Sequence, residues 1–250
     1  MDGLRARALE PLPDVQPGDD LSRLVAAAAP PDLAAGDVLV VAHKVVSKAE
    51  GRVRELESIE PGERALALAG EHRKDARLVQ AVLDESAELL RARDGVLICE
   101  TRQGFVCANA GVDQSNASRP GELILLPEDP DESARRLRAG IEAARGVRPA
   151  VVISDSFGRP WRLGQTDVAL GAAGLVALDE WSGRPDAYGR ELRVTAIAIA
   201  DSAAAAADLA RAKDSRRPVV LVRGLEGHVT DDDGPGAAVL RRASEQDLFR

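Results

Sequence analysis

Two aspartates, Asp113 and Asp155, each come after a short apolar run and are candidate metal ligands. The apolar run 150–153 predicts a buried strand, and Asp155 and Ser156 follow it closely. Hard divalent cations bind oxygen ligands, and magnesium takes only one or two protein carboxylates beside water and substrate phosphates. The two aspartates could therefore share one cation that binds a phosphate. The alternative is that each carboxylate only caps the backbone of its own turn or helix.

Basic residues follow a second buried strand, which the sequence predicts over residues 38–42. Lys44 and Lys48 come after this strand, where their ammonium groups could hold phosphate oxygens as point charges. Solvated lysines are the alternative interpretation. His43 precedes them without a serine or cysteine partner at a recognisable spacing, so no catalytic triad is predicted and a packed or exposed histidine is equally consistent.

The sequence lacks the common nucleotide-binding and zinc-binding motifs. It contains neither a G-x-x-x-x-G-K-[ST] loop nor a G-x-G-x-x-G after a predicted strand. It also contains no paired C-x-x-C motifs and no H-E-x-x-H helix. If the protein binds a nucleotide, we expect it to do so outside the Rossmann and P-loop folds.

Charge and hydropathy narrow the class of protein. The 250 residues include 33 Lys and Arg against 41 Asp and Glu, a net charge of −8, which argues against broad binding to nucleic acid. The apolar runs are far shorter than the ~20 residues of a membrane-spanning helix. No signal peptide is recognisable after Met1, so we expect a cytoplasmic protein.

Short hairpins mixed with helices predict an α+β fold of largely antiparallel sheets with flanking helices. The clearest hairpins form an antiparallel meander over residues 87–111. Strands are also predicted over 150–154, 168–178, 193–200 and 218–224, with residues 158–161 as a loop. We expect one unit over residues 1–250, with two interleaved subdomains as the alternative.

Helix signals are equally clear. Residues 63–86 carry helical periodicity, and a helix is predicted over 201–213. Asp129 as N-cap with Pro130 after it predicts a further helix, which Gly146 ends.

The two cysteines, Cys99 and Cys107, flank the second turn of the meander and are expected to lie opposite each other. A disulfide is geometrically conceivable there. Two buried thiols are the interpretation favoured by a reducing compartment.

Five segments in this order resemble the coenzyme F420:L-glutamate ligase family, also called the F420-0:gamma-glutamyl ligases. They are HKVVSKAEGRV, ETRQGFVCANAGVDQSNA, LLPEDPDESARRLRAGI, ISDSFGRPWRLGQTDVALGAAGL and RPDAYGREL. The resemblance extends from about Leu12 to Phe249. It implies a distinctive α+β fold, a homodimer, and a GTP-dependent ligase that joins L-glutamate to the phospholactate carboxyl of F420-0 or its dehydro form and then adds γ-linked glutamate.

The resemblance also implies site residues and ions. Asp113 and Asp155 match catalytic metal-binding aspartates, and Ser156 matches a ligand of a second metal. The implied ions are Mg²⁺ or Mn²⁺, with K⁺ as a further candidate. The positions that match nucleotide contacts are Leu12, Pro13, Asp14, Val15, His43, Lys44, Lys48, Asn116, Arg211, Ala212, Lys213, Asp214, Ser215, Arg216 and Arg217.

One position departs from the family pattern. Archaeal members have a metal-binding glutamine where this chain has Lys213, and a protonated lysine cannot bind a metal. Either the second metal is held differently here, or the ammonium replaces part of its charge. Some bacterial relatives also carry a flavin-binding domain after the ligase unit, and we expect this chain to lack it, since it ends at Arg250.

The expected chemistry has two steps, phosphorylation of the acceptor carboxylate by GTP and attack of the glutamate amine on the acyl phosphate. Asp186 or Glu191 could help to deprotonate that amine. Arg159 and Trp161 could line a substrate wall, with core packing as the alternative for Trp161. The rival functions are a metal-dependent nucleotide phosphohydrolase and a non-catalytic nucleotide-binding protein.

Overall fold

The computed structural model of the protein describes residues 3–248, so Met1, Asp2, Phe249 and Arg250 of the predicted unit lie outside it. The predicted α+β class is confirmed, with antiparallel strand pairs in the majority. The strands are β1 Arg5–Ala8, β2 Val38–Ala42, β3 Val53–Glu55, β4 Ser86–Arg93, β5 Val96–Thr101, β6 Val106–Ala108, β7 Glu122–Ile124, β8 Ala150–Arg159, β9 Arg162–Ala173, β10 Leu178–Glu180, β11 Ala196–Ala198 and β12 Val219–Arg223. The α-helices are α1 Leu21–Ala28, α2 His43–Ala49, α3 Glu63–His72, α4 Ala76–Glu85, α5 Pro130–Arg145 and α6 Ile199–Ala210.

A five-stranded sheet in the order β1-β12-β2-β8-β9 forms the centre of the molecule. In this sheet β2 and β8 pair in parallel, and the other neighbours pair antiparallel. Both faces are covered, which explains why β2 is an uninterrupted apolar run. Leu39 and Val41 pack in a core with α1 and α5, whereas Val38 and Val40 pack on the opposite face with α6.

A second layer holds the predicted meander. Strands β4, β5 and β6 form a three-stranded antiparallel sheet, and β3 pairs with β7. Side chains from α4 and β5, including Val79, Val82 and Leu97, share one buried core. Whether residues 1–250 behave as one unit or as two interleaved subdomains stays a prediction.

The helix predicted after Asp129 is confirmed as α5. The Asp129 carboxylate accepts a hydrogen bond of 2.9 Å from the backbone N–H of Glu132, and Pro130 occupies the first helical position. The helix ends at Gly146, whose φ of 67° is left-handed and therefore suits glycine. Local sequence chemistry thus determines both ends of this helix.

The prediction of a strand that ends at Ser154 is wrong, and the loop predicted over 158–161 is confirmed only for Pro160 and Trp161, which form a turn. Strand β8 continues to Arg159 and forms a long hairpin with β9, so that Asp155 and Ser156 lie within a strand. The pairing with β2 nevertheless ends at Ser154, opposite Ala42. Beyond that point β8 pairs only with β9, which leaves the side of Asp155 open toward the start of α2.

Two further boundaries differ from the predictions. The periodic region 63–86 is two helices, because the chain turns at Arg73 with a left-handed φ of 54°. The strand predicted over 193–200 is only β11, and α6 begins at once after it at Ile199.

Cys99 and Cys107 lie directly opposite each other on β5 and β6, as predicted. Both are buried free thiols. Across residues 3–248, none of the helices combines the length and the apolar character needed to cross a membrane.

Candidate functional site

The candidate site lies where β2 ends and α2 begins. Strand β8 runs parallel to β2 and extends past it, so Asp155 projects beside the first residues of α2. A cavity of about 510 Å³ opens here. Its lining comes from the 12–15 segment, from α2 and β8, and from the segments 116–118 and 211–218.

Most of the predicted site residues line this cavity. Two of those residues are not part of its lining, Asp113 and Asp214. The predicted residues that line it are Leu12, Pro13, Asp14, Val15, His43, Lys44, Lys48, Asn116, Asp155, Ser156, Arg211, Ala212, Lys213, Ser215, Arg216 and Arg217. The lining therefore combines several cationic side chains with carboxylates and hydroxyls, a composition that suits a phosphorylated ligand.

Asp155 pairs with His43, whose side chain is only 1% exposed. The distance from His43 Nε2 to Asp155 Oδ1 is 3.3 Å, but Nε2 makes no well-aligned hydrogen bond, so the contact is mainly electrostatic. Burial alone raises the pKa of the Asp155 carboxyl. His43, the Ser156 N–H and the charge of Lys44 outweigh burial, so the pKa lies below its usual value and the group is ionised at neutral pH.

Asp113 is connected to the cavity by an ion pair with Lys44, which lines it. The Lys44 ammonium donates a hydrogen bond of 2.6 Å to Asp113 Oδ2, while Asp113 Oδ1 accepts one of 2.7 Å from the Ser115 N–H. The carboxylate therefore both caps its own turn and pairs with a lysine of the cavity. Burial raises the pKa of Asp113, but Lys44 and Ser115 outweigh it and the net shift is downward.

Lys44 thus stands in contact with one aspartate and within electrostatic reach of the other. Among residues 3–248, no group of three or more His, Cys, Asp or Glu side chains is placed to hold a metal ion. Carboxylates are ligands that magnesium and manganese take beside water and phosphate. The cation shared by Asp113 and Asp155 stays a prediction.

A buried carboxylate that the sequence did not single out, Asp167 on β9, organises the opposite side of β8. Asp167 accepts hydrogen bonds of 2.8 Å from Ser154 and 2.7 Å from Ser156, and it forms a close ion pair with Arg211. Its side chain has 0% exposure. The position of Asp167 directly before the apolar run 168–173 was the one signal in the sequence that could have identified it. Its pairing with Arg211 could not be predicted, because the two residues are far apart in sequence.

The hydroxyl of Ser156 has a defined orientation in this network. Ser156 Oγ donates its hydrogen bond to the Asp167 carboxylate, so the lone pairs of the Ser156 oxygen stay available to other partners. The Lys213 ammonium makes a close contact with that oxygen. Lys213 thus lies on the hydroxyl that the family resemblance assigns to a second metal.

Asp208 on α6 is a further acidic residue of the cavity that the sequence did not single out. Burial raises the pKa of its carboxyl, and the neighbouring Asp167 charge raises it further, with Lys213 and Arg211 opposing the shift. The cavity therefore holds a carboxyl with a raised pKa, Asp208, beside two carboxyls with lowered pKa values, Asp14 and Asp155.

The N-terminal segment is connected to α2 and to the 116–118 loop. Asp14 Oδ1 lies 3.2 Å from Lys48 Nζ and accepts a hydrogen bond of 2.9 Å from Ser118. Asn116 has a left-handed φ of 58°, which asparagine tolerates better than most residues. These contacts bring the predicted nucleotide-binding segments to one side of the cavity.

Three other candidate residues, Asp186, Glu191 and Trp161, lie outside the lining of the cavity. Asp186 Oδ1 accepts hydrogen bonds of 2.8 Å from the backbone N–H groups of Tyr188 and Arg190, so it caps its own turn. Neither Asp186 nor Glu191 lines the cavity. The alternative of core packing for Trp161 is wrong, because the residue lies at the tip of the β8–β9 hairpin and is 81% exposed.

Comparison with known proteins gives consistent results. A family model described as F420-0:Gamma-glutamyl ligase matches residues 11–224. A coenzyme F420:L-glutamate ligase of Methanopyrus kandleri is 45% identical and the match covers 100% of both chains. Proteins of the same name from Methanothermobacter thermautotrophicus and Methanocaldococcus jannaschii are 43% and 42% identical, with 99% and 86% of this chain and 99% and 85% of theirs covered. With the family model spanning most of its length, this chain belongs to the F420-0:gamma-glutamyl ligase family.

Proposed function

We propose that this protein is a ligase of coenzyme F420 biosynthesis. It would use GTP to join L-glutamate to the phospholactate carboxyl of F420-0, or of its dehydro form, and then add γ-linked glutamate. The observation that carries the proposal is one cavity lined by Lys44, Lys48 and Arg211 together with Asp155, in a chain that belongs to this family. The coarser assignment to the ligases of this pathway rests on the relatives' shared name.

The cavity chemistry supports binding of a nucleoside triphosphate. Lys44, Lys48, Lys213, Arg216 and Arg217 line it together with Arg211, although the chain as a whole is acidic. Local clusters of this kind attract polyanions despite an opposite net charge. The 211–218 segment contributes four of these cationic residues, Arg211, Lys213, Arg216 and Arg217, which suits contacts to phosphates.

The first chemical step would be attack of the acceptor carboxylate on the γ-phosphorus. A new O–P bond forms while the bond to the β,γ-bridging oxygen breaks, and GDP leaves. Lys44 and Lys48 would stabilise the negative charge on the transferred phosphoryl group. Without this step a carboxylate is too poor an acyl donor to react with an amine.

In the second step the glutamate amine attacks the acyl carbon, a C–N bond forms, and inorganic phosphate leaves with the C–O bond electrons. The amine nitrogen must lose a proton. Asp208 lines the cavity, whereas Asp186 and Glu191 do not, so we place the acceptor of that proton at Asp208. Its pKa is raised by burial, which makes the carboxylate a stronger base than an exposed one.

Metal ions fit this arrangement. Asp113 and Asp155 would hold Mg²⁺ or Mn²⁺, and Ser156 has lone pairs available for a second ion because its proton is given to Asp167. K⁺ is a further candidate. When bound, such an ion neutralises charge on phosphate oxygens. Lys213, already on Ser156, would supply part of that positive charge.

We also propose a cytoplasmic homodimer. The family resemblance implies the dimer, and a second copy could bury large apolar side chains such as Leu163 on the β8–β9 hairpin, which is 100% exposed, and Val194, which is 92% exposed. Light scattering after gel filtration distinguishes a dimer from a monomer of 26.4 kDa.

Product analysis tests the proposed function. Purified protein is incubated with F420-0, GTP, magnesium and L-glutamate, and mass spectrometry measures the glutamate adducts while GDP is quantified. We expect glutamate-dependent GDP release in step with amide formation, and loss of both in Asp155→Asn. Phosphate release that needs neither glutamate nor F420-0 would instead identify a nucleotide phosphohydrolase.

A further inference from the structure

A second cavity, of about 380 Å³, borders β8 at Phe157, and its lining includes two aromatic side chains. Aromatic residues are only 2% of this chain, and yet two of its three phenylalanines, Phe105 and Phe157, line this cavity. Neither Phe105 nor Phe157 belongs to the lining of the first cavity. The concentration of scarce aromatic groups at one cavity points to recognition of a flat ligand.

The two rings are rigidly placed. Phe105 and Phe157 meet edge to face, with centroids 6.2 Å apart and an interplanar angle of 79°. The guanidinium of Arg241 lies 5.4 Å from the Phe105 centroid and donates a hydrogen bond of 2.7 Å to the Gln103 carbonyl. A planar guanidinium held against a ring offers a second flat surface for stacking.

The cavity also has a polar side. Asp201 Oδ1 accepts a hydrogen bond of 2.8 Å from the Ala169 N–H, which leaves Oδ2 available to a ligand. Burial raises the pKa of the Asp201 carboxyl. The protonated form, which can donate a hydrogen bond as well as accept one, is therefore more accessible than in an exposed aspartate. Such a group suits the N–H and C=O edge of a heterocyclic ring.

The second cavity is adjacent to the reacting centre. Phe157 comes two residues after Asp155 on β8, so both side chains project to the same face of the strand, about 7 Å apart along it. Val168, which also lines the second cavity, lies opposite Asp155 in the β8–β9 register. A ligand whose ring occupies the second cavity could extend a tail along β8 toward Asp155.

We propose that this second cavity binds the flat heteroaromatic ring of the acceptor, with Phe157 and Phe105 as its apolar wall and Asp201 at its polar edge. The inference rests on the proposed function, which supplies a deazaflavin ring joined to a carboxylate through a flexible tail. Because the nucleotide would occupy the first cavity, the acceptor ring needs a separate place within reach of the γ-phosphate. Phe157 is then a determinant of acceptor specificity.

Steady-state kinetics with Phe157→Leu test this assignment, since leucine keeps apolar bulk but removes the ring. We expect KM for F420-0 to rise by about tenfold, because aromatic stacking on a heterocycle contributes 1–3 kcal/mol. KM for GTP should stay within about twofold of that of the wild type. Tyr188→Leu, a matched change at a 91% exposed residue outside both cavities, should alter neither constant.

A binding measurement separates this inference from the proposed function. The probe is the deazaflavin ribitol nucleoside, which lacks the phospholactate and cannot react, titrated calorimetrically into wild type, Phe157→Leu and Asp201→Asn. We expect binding by the wild type that weakens by about tenfold in Phe157→Leu and also weakens in Asp201→Asn. Equal affinities in wild type and Phe157→Leu, or no binding by the wild type, would overturn the ring site even where the enzyme turns over. Absence of turnover with normal nucleoside binding would overturn the proposed function alone.

Discussion

Asp167, fully buried on the neighbouring strand, accepts a hydrogen bond of 2.7 Å from the Ser156 hydroxyl. The same carboxylate forms a close ion pair with Arg211. One buried charge thus connects the β8 hydroxyls to the 211–218 segment of the cavity. Its removal should affect both the stability of the protein and the arrangement of the 211–218 segment at the cavity.

Replacement of Asp167 by Asn should destabilise the protein by about 3 kcal/mol, because loss of one partner leaves the mostly buried Arg211 uncompensated. Urea unfolding followed by circular dichroism measures the change. Asp84→Asn is the control, since the Asp84–Arg54 pair is about one-third exposed and should contribute less than about 1 kcal/mol. Similar losses in both variants would contradict the role assigned to burial.

Removal of the Lys44 charge should raise the pKa of Asp113. In the wild type Lys44 opposes the effect of burial and holds that pKa below 3.8. NMR titration of the Asp113 carboxyl carbon in Lys44→Met measures the shift. An unchanged pKa would show that the Ser115 hydrogen bonds alone stabilise the carboxylate.

The lowered pKa of Asp113 also determines how the effect of Lys44→Met on the free energy of unfolding depends on pH. The folded pKa of Asp113 lies below its unfolded value, so its stabilising contribution is complete above the unfolded pKa. That contribution is lost as pH falls through the folded pKa. Lys44→Met should therefore cost more stability at pH 7 than at pH 2, and a cost that did not depend on pH would contradict the pairing.

The thiols of the native protein should resist alkylation. Burial raises the pKa of Cys107 to about 12, with a smaller contribution from Asp155, and burial also raises that of Cys99. Only the thiolate reacts, so iodoacetamide at pH 8 should label both residues in urea and neither in buffer. Mass spectrometry measures the labelling, and rapid labelling of the folded protein would contradict the burial.

Substitution of Gly171 by Ala should be strongly destabilising. A Cβ at this position in β9 would overlap the Pro130 carbonyl oxygen at the start of α5, and backbone must move to relieve the overlap. Overpacking of this kind costs about 1–3 kcal/mol. Gly158→Ala, with no neighbouring atom within 4 Å, is the matched control for thermal unfolding.

Local signals in the sequence predicted the elements whose ends they determine. The apolar run 38–42 is β2 residue for residue, and α5 starts and stops at its caps. Strand β8 was predicted too short because its extension to Arg159 depends on pairing with β9. No local signal in polar residues such as Gly158 and Arg159 reports that partner.

The candidate site likewise separates into residues that local signals or family resemblance predicted and residues whose roles depend on long-range contacts. Most of the cavity lining followed from residue types placed after buried strands and from family resemblance. Asp167 and Asp208 were missed because their roles depend on contacts with Arg211 and Lys213, which the fold brings together from distant segments. The second cavity was missed because Phe105, which immediately precedes β6, and Phe157 on β8 are far apart in sequence and meet only in the fold.

The parallel pairing of β2 with β8 has a consequence for synthesis of the protein. Residues 43–149, which include the meander and α3 to α5, separate two strands that must lie side by side before Asp155 can approach His43. The 211–218 segment is made later still. A nascent chain on the ribosome therefore has no complete cavity until almost its last strand has emerged, and a ligand of this cavity cannot assist folding of the earlier part.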